Sequence, residues 1–203
     1  MFQILSFWSF CIFIHYLLSK CVYRLGLKIG LDKSPPLYDV IQQNFPSFQN
    51  MRFIPEITHI IPIMILIKMI IMDKSPHTYR AITSFFKIHG VLMLLRGLCF
   101  SGTLLPDSSQ MCFESKHIGS CFDLIFSGHS TIMILTSYII RDNFEVSNFM
   151  NKLLSFNNIF TCLLIILCRN HYTVDVLVSI LLTYFVYSHF TGFVSGNSHQ
   201  FYL

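Results

Sequence analysis

The residues of this chain that could do chemistry lie in two short segments, each beside an apolar run. Residues 121–130 read Cys-Phe-Asp-Leu-Ile-Phe-Ser-Gly-His-Ser, and residues 171–176 read His-Tyr-Thr-Val-Asp-Val. Together they supply two histidines, His129 and His171, and two carboxylates. This set suits attack on a phosphoester by one imidazole while the second imidazole protonates the leaving group. The chemistry requires the two segments to face each other.

His171 and Asp175 are four residues apart, so they share one face if this segment is helical. A carboxylate at that position can accept the imidazole N–H, select the tautomer and stabilise the imidazolium ion. The other ring nitrogen is then free to attack phosphorus. The alternative is that both are ordinary polar residues at a helix start, where the dipole stabilises an aspartate.

A second candidate is the Ser-Gly-His turn at residues 127–129. Ser127 suits an N-cap, Gly128 allows close backbone approach, and free N–H groups at a helix start suit a phosphate oxygen. His129 could protonate the departing alkoxide. Taken alone, this turn more often holds a structural histidine. Its place on the same membrane face as the other segment favours catalysis.

Other polar residues near these segments are candidates for supporting roles. Glu56 and Asp123 could orient a histidine or the incoming hydroxyl, or could be interfacial residues. Arg96 lies in an apolar run, where a guanidinium is costly, so it could pair with a carboxylate or bind phosphate oxygens. We place Tyr172 with Arg96, Ser127 and Gly128 in a predicted phosphate and head-group binding set.

The remaining histidines show no metal-ligand spacing, and we expect neither a metal nor a cofactor. They are His15, His59, His77, His89, His117, His189 and His199.

Composition indicates a membrane protein. The 203 residues are 53% hydrophobic and 12% charged, whereas soluble domains carry about 25% charged residues. The net charge of +4 is scattered, which argues against a nucleic-acid partner. We therefore predict an all-α polytopic bundle, with one transmembrane domain over residues 1–203 and no soluble domain.

Six apolar segments are predicted to span the bilayer, the first being a span and not a removed signal peptide. The fourth is short enough to begin inside the preceding loop. Alternation of six spans puts the loops 23–53, 103–126 and 169–172, and every unusual polar group, on one face. The predicted spans are residues 2–22, 54–72, 82–102, 127–140, 153–168 and 173–193.

At these motifs the chain resembles the sphingomyelin synthase family, a branch of the PAP2-like lipid phosphate phosphatase superfamily. The family pattern His-Tyr-Ser/Thr-x-Asp-Val is matched in full by residues 171–176. The pattern Cys-Gly-Asp, three residues, then Ser-Gly-His-Thr is similar to residues 121–130, and Pro-Pro-Leu-Pro-Asp is similar to residues 35–39. Supporting matches are Arg96 with Thr103, and a glutamate at the second span. The resemblance covers about residues 5–190 and implies that this stretch is the core of a catalytic domain.

The chain departs from the family pattern in ways that leave head-group choice open. Phe122 stands in place of a glycine, Ser130 of a threonine and Tyr38 of a proline, and paired arginines before Arg96 are absent. The chain also has no Arg-Pro pair of the kind that ends the first motif of the phosphatase relatives. That absence favours the synthase branch over a plain phosphatase.

The resemblance implies transfer of phosphocholine from phosphatidylcholine to ceramide, giving sphingomyelin and diacylglycerol. His171, oriented by Asp175, would attack phosphorus, and His129 would protonate diacylglycerol and later deprotonate ceramide. Alternatives are a synthase using phosphoethanolamine or phosphoinositol, a lipid phosphate phosphatase, and a non-enzymatic membrane protein on the same scaffold.

The resemblance also implies a Golgi or plasma-membrane protein with a lumenal or exoplasmic active site and cytosolic termini. Charge counting favours the reverse orientation, because the catalytic-side loops carry more Lys and Arg than the opposite loops. If the loop 103–126 is lumenal, Cys112 and Cys121 could form a disulfide. A homodimer is one assembly that the sequence leaves open.

Overall fold

The structure, a computed structural model, describes residues 1–73, 75–109 and 121–192, and these residues contain helices and no strand. The all-α prediction is therefore confirmed. The α-helices in chain order are α1 (Phe2–Lys28), α2 (Val40–Asn44), α3 (Phe53–Thr58), α4 (Ile60–Met72), α5 (Pro76–Gly102), α6 (Gly128–Asn143), α7 (Asn148–Leu167) and α8 (Thr173–Thr191).

Five helical segments are long and apolar enough to cross a membrane, which confirms a multi-pass protein. They are Phe2–Lys28, Gln49–Met72, Pro76–Gly102, Asn148–Leu167 and Thr173–Thr191. The remaining predicted span, the fourth at residues 127–140, corresponds to α6, whose 16 residues extend about 24 Å against an apolar bilayer thickness of about 30 Å. This helix packs against α4, α5, α7 and α8, so it forms the buried centre of the bundle.

Two predicted connections are too long: residues 73–81, between the second and third predicted spans, and residues 141–152, between the fourth and fifth. In both, a capping serine begins a helix inside the predicted loop. The predicted turn at 73–81 ends early: Ser75 caps α5, and Pro76 occupies the first helical position, where its missing N–H is harmless. The predicted loop at 141–152 is only residues 144–147, because α6 continues to Asn143 and Ser147 caps α7.

The second span is broken at His59, between α3 and α4. Pro62 has no N–H, so the carbonyl of Thr58 lacks its helical donor, and Asn157 of α7 donates to it at 3.2 Å. His59 itself keeps right-handed helical dihedral angles, and its N–H donates to the carbonyl of Pro55 at 3.1 Å. Glu56 and His59, three residues apart, therefore lie on one side of this span.

Phe122 anchors the loop before α6 to α1. Its side chain is 1% exposed and packs with Val22 and Phe100, beside Gly26. A Cβ atom at Gly26 would lie 2.3 Å from the Phe122 ring, so only glycine fits there. The phenylalanine that departs from the family pattern is thus accommodated by a glycine on α1. Neighbouring Cys121 is buried and disulfide-bonded, whereas Cys112 lies outside the described residues.

Gly26→Ala is expected to lower the free energy of unfolding by about 1–3 kcal/mol, because the added methyl group overpacks against Phe122. Denaturant unfolding in detergent micelles would measure the change. Gly102→Ala is the matched control, since a Cβ there meets no atom within 4 Å. Adding Phe122→Leu should restore part of the loss. An unchanged stability in Gly26→Ala would contradict the packing described.

Candidate active site

The N-termini of α6 and α8 lie side by side and bring the two sequence segments together. The backbone N–H of Ser127 donates to the carbonyl of Asp175 at 3.2 Å, which joins the segments directly. Ser127 also caps α6 through its hydroxyl, and the Asp175 carboxylate accepts from the N–H of Tyr172 at 3.0 Å at the start of α8. Both histidines therefore lie at capped helix starts.

The rings of His129 and His171 face one another, with 6.3 Å between their centroids. His171 is buried, whereas the His129 side chain is 33% exposed. Reacting atoms in enzyme complexes lie about 3–3.5 Å apart, so the two imidazoles are near enough for both to reach one phosphoryl group bound at the edge of the pair. The juxtaposition expected from the two motifs is present.

Asp175 lies behind His171. One carboxylate oxygen, Oδ2, is 3.5 Å from Nδ1 of His171, and Asp175 is completely buried. Neither His171 Nδ1 nor Asp175 Oδ1 has a hydrogen-bond partner among the described residues. A small rotation of the imidazole completes the bond, as catalytic hydrogen bonds often tighten only when substrate binds. Gln42 holds the backbone beside the ring by donating to the carbonyl of His171 at 2.9 Å.

Glu56 provides a second carboxylate–imidazole pair. Its Oε2 atom is 3.0 Å from Nε2 of His129, and its side chain is 52% exposed. The carboxylate favours the tautomer that carries the proton on Nε2, which leaves Nδ1 of His129 with its lone pair. The two histidines therefore each have their own acidic partner, on different helices.

Arg96 and Asp123 are both buried and bind each other. The Arg96 guanidinium is 3.4 Å from Oδ2 of Asp123 and donates to the carbonyls of Asp123, at 2.5 Å, and Phe126, at 2.6 Å. Ser19 of α1 donates to the same carboxylate at 3.3 Å. Burial raises the pKa of the Asp123 carboxyl, and the Arg96 guanidinium opposes that rise.

These contacts hold the loop before α6 against α1 and α5. The close approach at Gly128 is also to Arg96, since a Cβ there would lie 3.6 Å from its Nε atom. Of the two roles open to Arg96, pairing with a carboxylate is the one observed. Phosphate binding by Arg96, Ser127 and Gly128, and the catalytic role of Asp123, stay predictions.

Tyr172, also predicted as a head-group ligand, tethers two loops. Its buried hydroxyl donates to the carbonyl of Pro106 at 2.9 Å and accepts from the N–H of Leu37 at 3.0 Å. Burial raises the pKa of Tyr172 to about 12, so the phenol stays neutral. Because both functions of the hydroxyl are in use, its contact with a head group stays a prediction.

Asp39 is a positioning residue that the sequence analysis did not select. Its carboxylate caps α2 and also accepts from the N–H of Thr173, at 2.6 Å, and from the Thr173 hydroxyl, at 2.8 Å. Burial opposes ionisation of Asp39, but the hydrogen bonds from Thr173, Gln42 and Ile41 outweigh it and lower its pKa. The sequence feature that could have identified Asp39 is its place at the end of the Pro-Pro-Leu-Tyr-Asp motif.

His59 is a second residue that sequence spacing missed. Its ring lies 4.7 Å from the ring of His129, and Glu56, His59 and His129 each offer a ligand atom within 4.8 Å of the others. His59 therefore belongs to a group of side chains that could hold a metal ion, although its spacing in the sequence gave no metal-ligand pattern; the expectation of no metal stays a prediction. The signal was Glu56-x-x-His59, because residues three apart on a helix are neighbours.

Comparison with known proteins adds one match. Residues 120–192, about a third of the chain, match the family model described as PAP2 superfamily C-terminal. That region contains both histidines, Asp123 and Asp175. No curated protein matches the chain. The match and the paired histidines together support placing residues 120–192 in the PAP2 superfamily, with a phosphatase or phosphotransferase type of chemistry on lipids.

Proposed function

We propose that this protein is a sphingolipid head-group transferase that moves phosphocholine from phosphatidylcholine to ceramide through a phosphohistidine intermediate. The observation that carries the proposal is the pair of imidazoles 6.3 Å apart, each with its own carboxylate. The coarser activity, phosphoryl chemistry on a membrane lipid, also has the family match behind it. The choice of phosphocholine and ceramide rests on the sequence resemblance.

The first half-reaction forms a bond between Nε2 of His171 and the phosphorus of phosphatidylcholine. Asp175, next to Nδ1, favours the tautomer in which Nε2 is unprotonated and stabilises the positive charge that develops on the ring. The bond from phosphorus to the diacylglycerol oxygen breaks, and His129 gives its proton to that oxygen. Diacylglycerol leaves, and phosphocholine remains on His171.

The second half-reaction reverses the roles. His129, now neutral, accepts the proton of the primary hydroxyl of ceramide, whose oxygen attacks phosphorus and displaces His171. Glu56 stabilises the protonated form of His129 through the 3.0 Å contact. Splitting one difficult displacement into two easier ones is the advantage of a covalent intermediate.

The surroundings of the site fit a lipid substrate. An apolar cavity of about 320 Å³ lies beside the start of α8, lined by residues that include Leu37, Tyr38, Val174 and Leu177. It opens on the outer face of the bundle, where Val174 and Leu177 are exposed. An acyl chain bound there would enter from the bilayer with its phosphate near His171, three residues before Val174.

The test is to express the chain in cells that lack sphingomyelin, feed fluorescent ceramide and identify the labelled product. Labelled sphingomyelin is expected, and none in a His171→Ala control. A labelled phosphoethanolamine or phosphoinositol ceramide would correct the donor, and release of phosphate from phosphatidic acid without ceramide would indicate a phosphatase. No ceramide or phosphatidate conversion by a correctly inserted protein would favour a non-enzymatic role.

The proposed location is the Golgi or plasma membrane, with the catalytic face lumenal or exoplasmic and both termini cytosolic. A glycosylation sequon inserted in the loop 103–126 should therefore acquire a glycan, whereas the same sequon at residues 144–147 should not. The electrophoretic mobility of each protein before and after deglycosylation would show whether its sequon carries a glycan. The opposite pattern would support the orientation that charge counting favours. A homodimer also stays a prediction.

A further inference from the structure

Beside the histidine pair lies a group of metal-ligand side chains that the proposed mechanism does not require. Glu56, His59 and His129 each direct one ligand atom to a common region, with all three atoms within 4.8 Å of one another. The two imidazole rings are nearly perpendicular, at 80°. Glu56 is exposed and the two histidines are half-buried, so an ion could reach them from solvent.

His59 is held in the form that a metal requires. Its Nδ1 atom lies 3.0 Å from the carbonyl oxygen of Pro55, which can only accept a hydrogen bond. Nδ1 therefore carries the ring proton, and Nε2 keeps its lone pair. A carbonyl or carboxylate on the outer nitrogen is the usual way in which proteins orient a metal-binding histidine. The backbone N–H of His59 donates to the same carbonyl at 3.1 Å, which holds the carbonyl next to the ring.

Two imidazoles and one carboxylate with an open fourth position are a donor set typical of Zn²⁺. Mg²⁺ and Ca²⁺ prefer oxygen ligands, so the set discriminates against them. We propose that Glu56, His59 and His129 form an inhibitory site for a divalent transition-metal ion of the Zn²⁺ class. The bound ion takes the position on Nε2 of His129 that faces Glu56, and the proton held there by the protonated imidazole goes to solvent. The remaining proton stays on Nδ1, so the ring has no lone pair left to accept a proton and is no longer an imidazolium ion that could give one.

The binding test uses the full chain in lipid nanodiscs, purified without a polyhistidine tag, and Co²⁺ as a spectroscopic probe. A saturable visible absorption typical of tetrahedral Co²⁺, removed by Zn²⁺ but not by Mg²⁺, is expected. His59→Gln should abolish it, since the amide can still donate to the Pro55 carbonyl but provides no imidazole. His77→Ala, at an exposed histidine on α5, is the matched control and should keep the absorption.

Inhibition is measured on the same proteins, and this part rests on the proposed function. Zn²⁺ should suppress transfer by the wild type and by His77→Ala. In His59→Gln the basal activity should remain within about twofold of the wild type. The Zn²⁺ concentration for half inhibition should rise at least about tenfold, which is the lower end of the loss of metal affinity expected when a metal site loses one of its partners.

The outcomes separate the two proposals. No saturable Co²⁺ absorption in the wild type, or an absorption that persists in a folded His59→Gln protein, would overturn the metal site. Binding without any loss of transfer would overturn its inhibitory role. If no metal-free protein transfers a head group, the proposed function fails, yet the Co²⁺ measurement still decides whether the site exists.

Discussion

Replacing His171 by alanine is expected to reduce head-group transfer by a factor of roughly 10³ or more, because the mutation removes the nucleophile. The reaction would be followed with phosphatidylcholine labelled in the choline group. The wild-type chain should acquire acid-labile label when ceramide is omitted, and the His171→Ala protein should acquire none. Asp175→Ala should also abolish transfer, since without its carboxylate the tautomer and the charge on the imidazole are no longer controlled.

The control for His171→Ala is insertion and folding, since the side chain is buried. His171→Ala also removes the imidazole beside the buried Asp175 carboxylate, so some loss of thermal stability is expected, and transfer is compared at a temperature at which both proteins are folded. His129→Gln is the informative companion. It should slow both half-reactions while leaving the nucleophile in place, so slow labelling should persist. Near-normal product formation by His171→Ala would remove the basis of the proposed mechanism.

Replacing Arg96 by methionine is expected to cost about 3–5 kcal/mol of unfolding free energy, because it leaves the buried Asp123 carboxylate without its cation. The carbonyls of Asp123 and Phe126 lose their donors as well. Denaturant unfolding in micelles would measure the loss. Lys68→Met, which removes a positive charge from an exposed position on α4, should change stability by less than about 0.5 kcal/mol.

A double mutant separates the structural role of Arg96 from phosphate binding. Arg96→Met combined with Asp123→Asn removes the stranded charge and should recover part of the lost stability. A role limited to binding phosphate predicts the reverse pattern. In that case Arg96→Met would abolish transfer without destabilising the protein, and Asp123→Asn would provide no rescue.

The sequence predicted the parts of the site that depend on short spacing. His171 and Asp175 are close because they are four residues apart at a helix start, and Ser127 is a cap because its hydroxyl precedes a helix. Alternation of spans was enough to place His129 and His171 on one face. These inferences rest on local geometry and on the number of crossings, which the order of residues contains.

The parts that sequence could not predict depend on contacts between distant residues. Arg96 was correctly singled out as costly to bury, but its partner could have been phosphate or a carboxylate, and only packing of α1, α5 and the loop selects Asp123. Tyr172 was similarly predicted to be a head-group ligand. Its hydroxyl bonds to Pro106, 66 positions away, and the sequence does not show a contact between residues so far apart. His59 was missed because the third member of its group, His129, lies on a distant helix, so only the packing of the bundle brings the three side chains together.

The hydrogen bond between the Ser127 amide and the Asp175 carbonyl has a consequence for how such an enzyme can diversify. It is made by main-chain atoms, so it does not depend on which side chains occupy the surrounding loops. Mutations that reshape the entrance for another head group or another acyl chain can accumulate while the spacing between the two proposed catalytic histidines is preserved. Selectivity and reactivity are therefore free to evolve separately in this architecture.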